Sequence, residues 1–155
     1  MASLSLEEFL VEAKINTYAS ASGGQGSEET LEDGGKKFVY EEGKWRYWDR
    51  YFGSHRFTGQ EIVWQNGRMV WTMNYYGGIV SEKASLDEVY GFLKKALGNV
   101  TRKKPFRGPL KLWERKWLYL NMVRGSVDSF HGLEQIIYQG QEKVYELRYH
   151  GGRIG

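Results

Sequence analysis

The chain has 155 residues, of which 22 are basic and 19 acidic, giving a formal net charge of +3 at pH 7. This balance does not demand a polyanionic partner, and the absence of cysteine excludes disulfides and thiol chemistry. No apolar run approaches the ~20 residues of a membrane-spanning helix, and the N-terminal segment carries acids where a signal peptide carries bases, so we expect a soluble cytoplasmic protein.

Two segments have the features of amphipathic helices. Each opens with a serine followed closely by acids, Ser5-Leu6-Glu7-Glu8 in the first and Ser85-Leu86-Asp87-Glu88 in the second. A serine suits the N-cap position, and acids suit the positive end of a helix. Apolar residues then recur at i, i+3, i+4 and i+7, which predicts one core-facing side on each helix.

A linker and then four stretches of strand character follow each predicted helix. The first linker, residues 20–37, is rich in glycine, and the second, residues 101–109, has the basic sequence TRKKPFRGP, which we expect to be a solvated loop. In the first set the strands are bounded by Glu42-Gly43, Gly53-Ser54 and Asn66-Gly67. The last pair is a hairpin signal.

The last strand of each set predicts which side of the sheet faces the core. Alternate residues point the same way along a strand. The first set gives Met69, Trp71, Met73 and Tyr75, and the second gives Lys143, Tyr145, Leu147 and Tyr149. Most of these are large and apolar, so we predict that this side is covered by the helices and that the opposite, mixed side is open to solvent or ligand.

The two halves of the chain resemble each other. FVYEEGKWRYWDRYFGS (residues 38–54) matches LKLWERKWLYLNMVRGS (residues 110–126), and one residue of slippage aligns Phe57, Gly59 and Glu61 with Phe130, Gly132 and Glu134. A second residue of slippage aligns residues 62–78 with residues 136–152. We predict an α+β fold made by tandem duplication of a helix plus a four-stranded antiparallel sheet. Residues 1–155 would be a single domain of two pseudo-symmetric lobes, with repeats at 5–78 and 85–152, joined edge to edge into one curved sheet with both helices on one side.

The repeated pattern Phe-x-Gly-x-Glu supplies the candidate site. It gives Glu61 and Glu134 similar positions, and if they meet at the seam, two carboxylates among aromatic rings would hold a cationic ligand through charge and cation–π attraction. Closeness would alternatively raise one pKa and create an acid/base pair. A third interpretation is that each glutamate only accepts hydrogen bonds from its own turn. The predicted ligand-binding residues are Glu61, Glu134, Trp45, Tyr47, Asp49, Trp64, Tyr76, Tyr138 and His150.

These residues favour a sensor-like small-molecule-binding domain with an aromatic, acidic cleft for a cationic or amphipathic ligand. The alternatives are a hydrolase that uses Glu61 and Glu134 as general acid and base, and a single-stranded nucleic-acid-binding protein. A clean basic stripe is missing, which makes nucleic acid the less favoured partner. We expect no cofactor and no metal, because the spacing of His131 and Glu134 does not bring them together on a strand or turn. A homodimer is possible.

The stretches YWDRYFGSHRFTGQEIVWQNGRMVWTMNYYGG and YLNMVRGSVDSFHGLEQIIYQGQEKVYELRYHGG resemble an uncharacterised family of bacterial and archaeal domains. Members of that family stand alone or follow a helix-turn-helix module in regulator-like proteins. The resemblance implies a helix-turn-helix regulator as a partner and no particular activity. The predicted plan is also similar to the duplicated ligand-binding lobes of multidrug-sensing regulators, in which a glutamate in an aromatic cleft meets cationic molecules.

Overall fold

The computed structural model describes residues 3–19 and 28–155, which form two helices and one antiparallel sheet of nine strands. The elements in chain order are α1 (Leu6–Ile15), β1 (Glu29–Thr30), β2 (Lys36–Glu42), β3 (Trp45–Gly53), β4 (Arg56–Gln65), β5 (Arg68–Ile79), α2 (Leu86–Leu97), β6 (Lys111–Glu114), β7 (Trp117–Ser126), β8 (Ser129–Tyr138) and β9 (Glu142–Arg153). Residues 20–27 of the first predicted linker lie outside the described part. Within that part, neither helix is long and apolar enough to cross a membrane.

Both helices begin directly after the predicted N-cap serines. The Oγ of Ser5 accepts a hydrogen bond from the backbone N–H of Glu8 at 3.1 Å, and the Glu8 carboxylate accepts from the Ser5 N–H at 2.8 Å. Ser85 caps α2: its Oγ accepts from the N–H of Glu88 at 3.2 Å, and its hydroxyl donates to the Glu88 carboxylate at 3.0 Å. These bonds satisfy backbone donors that the first helical turn leaves free. The predicted helix starts are therefore confirmed.

The sheet has the strand order β1-β2-β3-β4-β5-β9-β8-β7-β6. Its centre is the pairing of β5 with β9, in which Tyr75 lies opposite Tyr149. On either side of this pair the register is reciprocal, with Gly77 opposite Leu147 and Gly151 opposite Met73. A Cβ atom at Gly77 would lie 2.2 Å from a backbone oxygen of β9, and one at Gly151 would lie 2.1 Å from a backbone oxygen of β5. Glycine is required at both places because the central strands approach so closely.

Both helices cover the same face of the sheet. Phe9 of α1 stacks on Trp45 with ring centroids 5.3 Å apart, and Phe92 of α2 stacks on Trp117 at 5.6 Å. Trp71, Met73 and Tyr75 are buried on this face together with Tyr145, Leu147 and Tyr149, as the alternation predicts. The opposite face of the central strands carries no helix of the described residues, and we call it the helix-free face.

Two β-bulges correct the predicted faces at the start of β5 and β9. The register shifts between Val63 and Trp64 because Val70 is an extra residue on β5. Met69 therefore lies on the outer side and is 54% exposed, not in the core. A matching shift on β9 leaves Lys143 exposed and buries Val144, which the alternation had assigned to the opposite side.

The turn between β8 and β9 also corrects the alignment of the two halves. Asn66 and Gly67 form a two-residue turn with φ of 51° and 78°, which is typical of a hairpin turn that follows the strand twist. The corresponding turn has an additional residue, because Tyr138 pairs with Glu142. The second residue of slippage between the two halves therefore lies in this turn, and not before Ile62 as the sequence alignment placed it. In strand register Trp64 matches Ile137, and Tyr138 matches Gln65.

Candidate functional site

The two glutamates of the repeated pattern lie in the interior, between the sheet and the helices. Glu61 and Glu134 are both almost completely buried. The glycine of each pattern has a packing role: a Cβ atom at Gly59 would lie 2.3 Å from the hydroxyl of Tyr75, and one at Gly132 would lie 2.1 Å from the ring of Tyr149. In each half a tyrosine ring thus crosses directly over a glycine.

Glu61 is neutralised by a lysine from α1. The ammonium of Lys14 donates to the Glu61 carboxylate at 2.6 Å and to the backbone oxygen of Phe106 at 2.5 Å. Burial lowers the pKa of Lys14, and the charge of Glu61 opposes that shift. Phe106 itself stacks on Phe130 with centroids 3.9 Å apart, so the second linker is tied to both the core and the ion pair.

Glu134 is held by an arginine from the second linker. Arg107 makes a two-pronged contact with this carboxylate, with Nε 3.1 Å from Oε2 and Nη2 2.9 Å from Oε1. The hydroxyls of Tyr119 and Tyr145 donate to the same two oxygens. Although burial disfavours the charged guanidinium, the adjacent Glu134 carboxylate raises the pKa of Arg107 well above its usual value. The prediction that this whole linker is solvated is wrong at Phe106 and Arg107.

Asp49 is the third buried carboxyl group. It lies opposite Glu61 in the register of β3 and β4, and it accepts a hydrogen bond from the Tyr75 hydroxyl at 2.6 Å. Burial, and then the charge of Glu61, raises the pKa of Asp49 to about 7. The matching position in β7 is Asn121, whose amide oxygen accepts from the Tyr149 hydroxyl at 2.7 Å. One half therefore holds a carboxyl group where the other holds a neutral amide.

The interior space beside these groups is small. A cavity of about 20 Å³ is lined by Lys14, Asp49, Glu61 and Arg107 together with neighbouring apolar side chains. This is room for about one water molecule. Because the cavity is so small and each glutamate already pairs with a cation, the interior carboxyls have the geometry of a satisfied polar network.

The large hollow of the molecule lies on the helix-free face. It has a volume of about 1160 Å³ and extends over β4, β5, β9, β8 and β7; we call it the groove. Its apolar side chains include Tyr76, Leu110, Met122 and Leu133. Its polar side chains are Thr58, Asn74, Arg124, His131, Arg148 and His150. Tyr76 and Met122 are each 57% exposed, which is unusual for side chains of this size.

Strand register arranges the groove side chains in two transverse rows. The first, which we call the cationic row, runs from Arg124 to His131 to His150, each directly opposite the next on β7, β8 and β9. The second, the apolar row, runs from Met122 through Leu133 and Arg148 to Tyr76. The described residues that line the groove include no carboxylate.

In a comparison with protein families, residues 49–154 match a family described as Domain of unknown function (DUF5680). The chain belongs to this family. The DUF5680 match begins within β3 and covers the whole groove, Glu61 and Glu134, while Lys14 and α1 precede it. Comparisons with curated proteins and with solved structures give no match.

The predicted site residues of this DUF5680 chain do not meet in one cleft. The interior of the helix-covered face holds Trp45, Tyr47, Asp49, Glu61 and Glu134. Tyr138 is half-buried beside Trp117, with ring centroids 4.7 Å apart. Trp64 packs against Trp48 at 6.4 Å, outside the groove. Only Tyr76 and His150 line the groove.

Sequence reasoning missed most of the groove and both interior cations. The signal for Arg148 was present, because it lies between Glu146 and His150 on the mixed side of β9. Arg124, Met122 and Leu133 gave no such signal, since their neighbours are revealed only by strand register. Within residues 3–19 and 28–155, no three His, Cys, Asp or Glu side chains come together as a metal site.

Proposed function

We propose that this chain is a small-molecule-binding domain and that its ligand occupies the groove on the helix-free face. The observation that carries the proposal is the groove itself, a hollow of about 1160 Å³ with exposed apolar side chains beside cationic ones. Ligand sites typically combine an apolar lining with a few polar groups that fix orientation. An amphipathic molecule satisfies both halves of this lining.

The charges of the lining favour a ligand that is anionic and not cationic. The side chain of Arg124 has no hydrogen bond or ion pair within the described residues, and the Arg148 guanidinium pairs with Glu146 at 2.6 Å. The glutamates that suggested a cationic ligand are enclosed on the other side of the sheet. A cation in the groove would therefore meet repulsion without a carboxylate to offset it.

Burial of the carboxyls argues against the alternative of hydrolysis. A general acid or base must come within hydrogen-bond reach of the reacting group. Glu134 is surrounded by Arg107, Tyr119 and Tyr145, and the cavity beside Glu61 holds about one water molecule. Single-stranded nucleic acid is also less favoured, because Tyr76 is the one well-exposed Phe, Tyr or Trp side chain among the described residues that line the groove, where base stacking calls for several.

We also propose that the two halves arose by tandem duplication and that the domain serves as the ligand-sensing part of a helix-turn-helix regulator. Support for duplication comes from the reciprocal pairing about Tyr75 and Tyr149 and from the Asp49–Tyr75 and Asn121–Tyr149 hydrogen bonds at matching positions. Support for the regulator is the resemblance to domains of bacterial and archaeal regulator-like proteins. Copurification with a helix-turn-helix protein encoded nearby would test it, and the absence of any such association would count against it.

Calorimetric titration with three amphipaths that share a decyl chain tests the binding proposal. Decyl sulfate, decyl maltoside and decyltrimethylammonium differ only in head group, and each is used below its micellar concentration. We expect binding of the anionic compound in the groove. Met122→Ser and Tyr76→Ser should each weaken it about tenfold, because each removes apolar surface from the contact at about 25 cal/mol per Å².

Met69→Ser is the matched control, since Met69 is also an exposed methionine on the outer side but lies outside the groove. It should leave affinity unchanged. If none of the three amphipaths binds, or if Met69→Ser and Met122→Ser weaken binding equally, the proposal fails. It also fails if sedimentation shows a dimer that Met122→Lys disrupts and Met69→Lys does not, because a second copy would then cover the groove. Tight, salt-dependent retention of oligonucleotides would point to nucleic acid instead.

A further inference from the structure

We infer that the cationic row is a head-group clamp whose affinity for an anion rises as the pH falls. The inference rests on the proposed function and adds the chemistry of the ligand and its orientation. The head group is a compact oxyanion, such as a sulfate or phosphate ester, held by Arg124, His131 and His150. The apolar part of the ligand lies along the apolar row.

The spacing of the row suits one small anion. Side chains directly opposite each other on antiparallel strands have Cβ atoms about 4.5 to 5.5 Å apart. An oxyanion between His131 and His150 therefore contacts both imidazoles, and the longer side chain of Arg124 reaches it from β7. Arginine presents several donors in a planar fork that matches such oxygens.

A neutral donor continues the row on β5. Asn74 lies directly opposite His150 in the register. Its Oδ1 accepts a hydrogen bond from Nε2 of Gln60 at 2.8 Å, which leaves the Asn74 Nδ2 without a partner among the described residues. The row thus offers N–H donors from four adjacent strands, and the lining contains no competing carboxylate.

The charges around the two imidazoles explain the expected pH dependence. Arg124 on β7 and Arg148 on β9 are the cations that face them. Glu146 is the nearest acid on β9, and it is engaged by Arg148 at 2.6 Å. The phenol of Tyr76 on β5 lies opposite Arg148. A bound anion that lies between two imidazoles favours their protonated forms, because its negative charge offsets the repulsion from the neighbouring arginine.

Anion binding and protonation therefore favour each other. Histidine is the side chain that ordinarily changes charge between about pH 5 and pH 8. By linkage, an anion that binds better to the protonated row must also promote its protonation. The pH of the surrounding solution then sets the affinity of the groove for its ligand.

Titration calorimetry with decyl sulfate tests the clamp, because the charge of a sulfate ester is constant in this range. We expect the affinity to rise about tenfold between about pH 8 and about pH 5.5, and to fall with added salt. The double variant His131→Gln/His150→Gln should abolish the pH dependence. Arg124→Gln should weaken binding about tenfold at both pH values. Inorganic sulfate should compete with decyl sulfate at higher concentration. Because sulfate has no apolar chain, such competition would show that the site recognises the head group by itself.

Two exposed residues outside the groove provide matched controls, His55→Gln for the imidazoles and Arg56→Gln for Arg124. Neither should change the affinity or its pH dependence. The clamp is refuted if decyl maltoside binds as tightly as decyl sulfate, or if the double histidine variant keeps the pH dependence; in both cases ligand binding in the groove survives. Zinc binding that is lost in either single histidine variant would show a metal site and would also overturn it. Failure of all three decyl compounds instead overturns the proposed function.

Discussion

Replacing Asp49 by asparagine tests whether the buried network holds a proton in the folded protein. Asp49, Glu61 and Glu134 face only two cations, Lys14 and Arg107, in the described part of the interior. If one of the three carboxyl groups is protonated and uncharged, the two remaining negative charges equal the two positive charges. The pKa of Asp49, raised to about 7 by burial and by the charge of Glu61, identifies it as the group that keeps its proton.

The size of the effect follows from linkage. The pKa of Asp49 is about 7 in the fold, against the ordinary aspartate value of 3.8. Between these two pKa values the folded protein holds a proton that the unfolded chain releases. The stability that Asp49 contributes is therefore fully present below pH 3.8, and it is lost as the pH rises through about 7. Between pH 5 and pH 8 the loss is about 2.5 kcal/mol, at about 1.36 kcal/mol per pKa unit.

Asparagine has no proton to lose, so Asp49→Asn removes this pH dependence. Its amide oxygen can accept the hydrogen bond from Tyr75, as that of Asn121 does from Tyr149. The amide N–H₂ takes the place of the O–H of a protonated carboxyl group, so asparagine keeps both a donor and an acceptor at this position. The difference between variant and wild type should therefore shift by about 2 to 3 kcal/mol in favour of the variant from pH 5 to pH 8.

Urea unfolding of both proteins at pH 5 and pH 8 measures this shift directly. Asp128→Asn is the control, because Asp128 is exposed in the β7–β8 turn. It should show no comparable shift, because its side chain is exposed and lies outside the buried network. An Asp49→Asn effect of equal size at both pH values would refute a protonated Asp49 and the charge balance built on it.

Three further outcomes follow from the packing. Arg107→Met leaves the Glu134 carboxylate buried without a cation and should lower the free energy of unfolding by about 3 to 5 kcal/mol in urea, whereas the exposed Arg102→Met should change it by about 1 kcal/mol or less. Gly59→Ala should destabilise by about 1 to 3 kcal/mol because its Cβ would meet the Tyr75 hydroxyl; an unchanged melting temperature would contradict the crossing. Gly91→Ala, in open space on α2, should stabilise by about 0.5 to 1 kcal/mol in the same assay.

Local signals in the sequence predicted much of the fold. Serine caps and apolar residues at i, i+3, i+4 and i+7 predicted both helices. Asn66-Gly67 predicted a tight hairpin, because both residues readily adopt the positive φ that such a turn requires. Alternation predicted the buried side of β5 as far as Trp71 and failed at Met69. The failure has a physical cause, since a bulge adds one residue and moves everything beyond it to the other face.

The candidate site was less accessible to sequence reasoning. The Phe-x-Gly-x-Glu pattern drew attention to Glu61 and Glu134, and it reflects packing: the glycine accommodates a crossing tyrosine, and the glutamate anchors a cation. Arg107 looked like one member of a solvated basic run, because a run of charges does not reveal which member turns inward. The partners of these groups come from distant parts of the chain.

The groove shows the same limitation. Its cationic row combines residues from β7, β8 and β9 that are neighbours only through the register of three strands. Alternation places each residue on a face, but register decides which residues are adjacent. His150 was identified from its own strand, while His131 and Arg124 became its neighbours only once the strand pairing was known.

An amide-resolved NMR titration with decyl sulfate tests most directly which side of the sheet binds a ligand. The account predicts saturable shifts at Asn74, His131 and His150, with little change at Lys14 and Glu61. Shifts centred on Lys14 and Glu61, with the groove unaffected, would contradict it.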